Sequence, residues 1–88
     1  MTQLIGNASA ESGIIQVTLN GKIIINNGGS VQMDLEQGKI YVVQWFVNGF
    51  PMSHYSLEIT SPPEAKLQMI KILKDGHDYG GFRFTVQM

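Results

Sequence analysis

Fourteen consecutive residues, Ile40 to Ser53, carry no charge, and they constrain the fold more than any other stretch. They open with Ile-Tyr-Val-Val-Gln-Trp-Phe-Val (Ile40 to Val47), β-branched and aromatic at both alternating sets of positions, and stop at Asn48-Gly49-Phe50-Pro51. Such a run reads as a strand, ended by a turn dipeptide, that is apolar on both faces. A strand of this kind needs cover on both sides or a partner, so it is placed at the centre of the core. Alternation assigns Tyr41, Val43, Trp45 and Val47 to one face and Ile40, Val42, Gln44 and Phe46 to the other. Only one of these faces can meet the opposing layer of a two-layer sandwich.

The flanking sequence is strand-like almost throughout. Ile15, Val17 and Leu19 alternate with Gln16 and Thr18, and Asn20-Gly21 then leads into Lys22-Ile23-Ile24-Ile25. Asn-Gly between two β-branched runs predicts a tight hairpin with positive φ at both central residues. Val31, Met33 and Leu35 give a one-sided strand, and Gln37-Gly38-Lys39 predicts a second hairpin into Ile40–Val47. Tyr55, Leu57 and Ile59 form the inward set of a further strand, as do Phe82, Phe84 and Val86 near the end. Residues 1–12 are small and polar apart from Leu4 and Ile5, and read as a loose arm or edge strand.

Residues 62–74 admit two readings. Ser61-Pro62-Pro63-Glu64 resembles a helix start, and Ala65, Met69, Ile72 and Leu73 share a helical face. A strand needs only a bulge near Met69-Ile70, and would pair with residues 82–88. Strands every eight to twelve residues elsewhere favour the strand. The fold class is therefore all-β, an immunoglobulin-like antiparallel sandwich of about seven strands in one domain spanning 1–88. An α+β arrangement with one helix near 62–74 is the alternative.

The run Leu35-Glu36-Gln37-Gly38-Lys39-Ile40-Tyr41-Val42-Val43-Gln44-Trp45, followed by Asn48-Gly49-Phe50-Pro51, resembles one strand-turn-strand of PEGA-type immunoglobulin-like bacterial modules. Gln37 stands where those modules often carry a proline before the turn glycine. The resemblance implies a sandwich with a binding or spacer role and brings no functional residues with it.

Composition narrows function mainly by exclusion. The 88 residues carry 15% charged residues and a net charge of −1, with six basic residues that form no stripe. That argues against a nucleic-acid backbone as partner. There is no cysteine, so disulfides and cysteine-ligated metals are excluded. No signal peptide or membrane-spanning stretch is read, and a leader removed beforehand leaves the compartment open.

No nucleophile-elbow pattern accompanies His54 or His77, and the carboxylates Asp34, Glu36, Glu58 and Asp75 sit at polar alternation positions. The expectation is a protein that is not an enzyme and holds no cofactor. Asp75, His77 and Asp78, amid glycines, are the only candidates for metal ligation, and a plain turn is the reading preferred for them. The aromatic residues are more informative, because they exceed what one thin core can hold. Trp45, Phe46, Phe50 and Tyr79 are the candidates for a ligand or interface surface. Two functions follow: an interaction module that self-associates or docks on a protein partner, and a carbohydrate-binding module with Trp45 or Phe50 and Tyr79 as stacking platforms. Asn48 or Asp78 would then supply the hydrogen bonds to sugar.

Overall fold

Alternation of apolar and polar residues along nearly the whole chain is resolved into eight strands in the computed structural model, which describes residues 2–87. In chain order they are β1 (Thr2–Ala10), β2 (Ile14–Leu19), β3 (Lys22–Asn26), β4 (Gly29–Leu35), β5 (Ile40–Asn48), β6 (His54–Ser61), β7 (Leu67–Ile72) and β8 (His77–Thr85). They form two antiparallel sheets of four, ordered β4-β1-β6-β7 and β3-β2-β5-β8. The protein is an all-β sandwich.

Burial follows the pleat. In β5 the inward set Tyr41, Val43, Trp45 and Val47 is buried, and the intervening residues are exposed. Facing them from the first sheet are Leu4, Ala8, Leu35, Tyr55, Leu57 and Ile59. The uncharged strand is interior to its sheet, with β2 on one side and β8 on the other. Its nine residues pair without a break along β8, from Ile40↔Thr85 to Asn48↔His77.

The Asn20-Gly21 hairpin joins β2 to β3 with φ of 50° and 83° at its two central residues, the conformation that Asn-Gly favours. The turn at Gln37-Gly38-Lys39 does not make a hairpin. β4 and β5 lie in different sheets, and this segment is an arch between them. Tyr41 holds the arch: its hydroxyl accepts the Glu36 N–H at 2.9 Å, its ring stacks on Phe84, and Lys39 Nζ lies 5.5 Å from the ring centroid. A tyrosine that bonds back to the chain a few residues upstream fixes a crossing between sheets.

Two further expectations change. Residues 2–10 are not an arm or an edge but β1, paired with β4 on one side and β6 on the other. Its inward residues are Leu4, Gly6 and Ala8, two of them too small to announce a strand. Gly6 stands beside a register shift, where a Cβ would come within 2.8 Å of the Glu58 carbonyl. Residues 62–74 hold one 3-10 turn at Pro63–Ala65 and then β7, so the helix is absent and the strand reading stands. β7 pairs with β6 rather than with the last strand, because the short connection after it crosses to the other sheet.

Candidate functional site

The outward faces of the two sheets differ in kind. On the first sheet, polar side chains bond across the strands: Gln3 to Asp34, Gln32 to Gln3, Asn7 to Glu58, and Ser9 to Ser56. Paired polar groups of this kind suit a face that meets water. Its apolar exceptions are Ile5 and, near the β7 edge, Ile70 and Ile72.

On the second sheet the outward row of β5 is Ile40, Val42, Gln44, Phe46 and Asn48. Register places Tyr79 beside Phe46, Gly81 beside Gln44 and Arg83 beside Val42. On the other flank Gln16 faces Phe46, and Ile14 and Ile23 add exposed apolar area. Phe46 is 48% exposed and Tyr79 74%, and no strand or turn of the chain lies over them among the described residues. Gly81 leaves the row open between Tyr79 and Arg83, and a shallow apolar trough forms there, lined also by Val42 and Phe46. A Cβ at Gly81 would stand 2.7 Å from the Val43 carbonyl oxygen, so the trough floor is backbone by necessity.

The four aromatic candidates therefore separate. Phe46 and Tyr79 come together on this face. Phe50, 75% exposed, lies at one end of the sandwich in the loop between β5 and β6. That loop is held by a closed set of bonds: Phe50 N–H donates to Ser12 Oγ, Ser12 Oγ donates to Ser53 Oγ, and Ser53 Oγ donates to the Phe50 carbonyl. Trp45 belongs to the core, only 8% exposed, and is no surface platform. Its ring lies over Gly80, its partner in register, where a Cβ would come within 2.5 Å of Cζ2, and it packs against Phe82. Even numbering within β5 points outward and odd numbering inward, so Trp45 and Phe46 could only have divided in this way.

The candidate metal residues do not converge. Among the described residues no three of His, Asp and Glu are placed to hold one ion. Asp78 is occupied elsewhere: Oδ2 accepts the Tyr55 hydroxyl at 2.6 Å and Oδ1 accepts the Tyr79 N–H at 2.8 Å. The Tyr55 bond, then the backbone N–H and the nearby Lys71 and His77, hold the Asp78 carboxyl below the usual carboxylate range against the opposing cost of burial. Burial, and next Asp78 itself, push the Tyr55 phenol well above its ordinary value, with the Trp45 side chain pulling weakly the other way. The pair joins β6 of one sheet to β8 of the other and is structural in character. Nothing at position 55 distinguished this tyrosine from any inward aromatic in the sequence.

No helix of the described residues is long and apolar enough to cross a membrane. No family model, no curated protein and no solved structure matches the chain.

Proposed function

We propose that this chain is a non-catalytic interaction module that assembles by burying the outward face of the β3-β2-β5-β8 sheet against protein. The observation that carries the reading is the contrast between the two outward faces. One is mainly hydrogen-bonded polar residues, with Ile5, Ile70 and Ile72 as exceptions. The other is mainly Ile14, Ile23, Ile40, Val42, Phe46 and Tyr79 in the open, with Gln16–Asn26 as its cross-strand polar pair. A contiguous apolar patch on a small domain marks a contact surface. Aromatic residues with a single arginine at the margin, here Phe46, Tyr79 and Arg83, are the composition that protein interfaces concentrate. PEGA-type bacterial modules, which Leu35–Pro51 resembles, have binding or spacer roles, and this reading puts the chain in that functional class. Carbohydrate binding has less support, since Trp45 is buried and both Asp78 oxygens are engaged.

The test is light scattering coupled to size exclusion over a wide concentration range. The wild type is expected to exceed the monomer mass as concentration rises. Phe46→Lys should lower the mass, whereas Ser56→Lys on the polar face should not. A wild type that stays monomeric, or two variants that behave alike, would refute the reading.

A further inference from the structure

A four-stranded sheet has two edges, and this sandwich has four: β3, β4, β7 and β8. Natural sheets guard such edges with short strands, bulges, lysines, prolines or charges turned inward. Three of the four show such guards. β3 is five residues long, begins at Lys22 and borders a register shift at Val17/Thr18. β4 follows Gly28 and starts at Gly29, both of positive φ, carries Asp34 and packs against β3. β7 carries Lys71 in register with buried Tyr55, on the core-facing side, with Lys66 and Lys74 just beyond its ends.

β8 is different. It is nine residues long, in unbroken register with β5, contains no lysine and no proline, and its one inward charge, Asp78, is engaged by the Tyr55 hydroxyl and the Tyr79 N–H. The direction of its free backbone groups follows from the bonding of β5. Val42 exchanges hydrogen bonds with Asn20, on the β2 side: its carbonyl accepts the Asn20 N–H and its own N–H donates to Asn20 Oδ1. The odd-numbered residues of β5 therefore bond towards β8, where their partners are the even-numbered Phe84, Phe82, Gly80 and Asp78. The N–H and C=O groups of His77, Tyr79, Gly81, Arg83 and Thr85 point off the edge. Among the described residues only the Tyr79 N–H is capped, by the Asp78 carboxylate.

We infer that β8 pairs antiparallel with β8 of a second copy, centred on Gly81, to join two sheets of four into one of eight. The strand is self-complementary in that register. Tyr79 and Arg83 lie on the same face at equal distances either side of Gly81, so a two-fold axis there sets each Tyr79 against the Arg83 of the other copy. An arginine over a tyrosine ring is favourable, whereas a register centred on Arg83 would oppose two like charges. The Tyr79 N–H stays with Asp78, and the Tyr79 carbonyl accepts from Arg83 across the new ladder. Pairing also brings the two Phe46–Tyr79 troughs onto one continuous face, so the inference deepens the function proposed above and rests on it for the use of that face.

Amide hydrogen exchange in a concentration series, together with one edge-blocking variant, tests the edge. The Gly81, Arg83 and Thr85 amides should exchange freely in dilute solution and become protected as the dimer forms. Thr85→Pro removes an N–H that faces off the edge and no bond of the β5 ladder, so the monomer should keep its fold and lose the dimer. Arg83→Ala should weaken the dimer and Arg83→Lys partly restore it. Assembly in which these three amides stay unprotected and Thr85→Pro is silent would overturn the edge while leaving the face intact, provided Phe46→Lys still dissociates it. Assembly lost on Thr85→Pro but indifferent to Phe46→Lys would uphold the edge and overturn the face. A wild type monomeric at every concentration would overturn both.

Discussion

The Tyr55 hydroxyl donates to Asp78 Oδ2 at 2.6 Å and so ties the third strand of one sheet to the edge strand of the other. Tyr55 is buried, while Asp78 lies at the margin of the core. A hydrogen bond to a charged acceptor contributes about 1.5–3 kcal/mol when both partners are held in place. Tyr55→Phe is expected to lower unfolding free energy by about 1–3 kcal/mol, measured by urea denaturation at neutral pH.

The same pair sets a pH dependence at both ends of the scale. The folded phenol titrates above its ordinary value of about 10, so its contribution is complete below that value and declines as pH rises past it towards the folded pKa. The folded Asp78 carboxyl titrates below its ordinary value of about 4, so its contribution is complete above that value and is lost as pH falls through the folded pKa. Denaturation midpoints of the wild type should fall in both windows, and Asp78→Asn should flatten the acid limb. An acid limb unchanged by Asp78→Asn would place the acid sensitivity in other carboxylates.

Gly80→Ala tests why Trp45 is in the core. A Cβ there would stand 2.5 Å from Cζ2 and 2.8 Å from Cε2 of the indole, and the ring cannot move away without disturbing Phe82. Overpacking of this sort costs about 1–3 kcal/mol. The variant should show that loss together with a red-shifted Trp45 emission, since this is the only tryptophan.

Tyr41→Phe leaves the stacking on Phe84 in place and removes only the acceptor of the Glu36 N–H. Loss of about 1–2 kcal/mol is expected, with faster amide exchange at Glu36 and little change elsewhere. A change spread through the second sheet would mean that the arch is held by the ring rather than by the hydroxyl.

Legibility in the sequence tracked side-chain size. Large residues in strict alternation, as in β5, β6 and the second half of β8, declared both the strand and its inward face, whereas His77–Gly81, read as a turn on its glycines, is the first half of β8. Asn20-Gly21 declared its hairpin because few other dipeptides accept two positive φ values. β1 was hidden because Gly6 and Ala8 occupy its inward positions, where the first sheet comes close to its neighbours. The turn at Gln37-Gly38-Lys39 looked like a hairpin because local chemistry records that a chain turns, not which sheet it enters next. That choice is made by long-range contacts such as Tyr41 with Phe84. At the site, alternation put Trp45 and Phe46 on opposite faces of β5 without deciding which face was inward. Only the pairing of Trp45 with Gly80 decided between them, and no local pattern marks that pairing.

The most direct test of the assembly claim compares the wild type with Phe46→Lys by light scattering, at concentrations from dilute to the solubility limit. The apolar face requires a mass that rises with concentration in the wild type, a lower mass for Phe46→Lys at matched concentration, and equal unfolding midpoints for the two in dilute solution. A wild type that remains a monomer throughout would mean that Ile40, Val42, Phe46 and Tyr79 are exposed without an assembly role, and the central claim would fall.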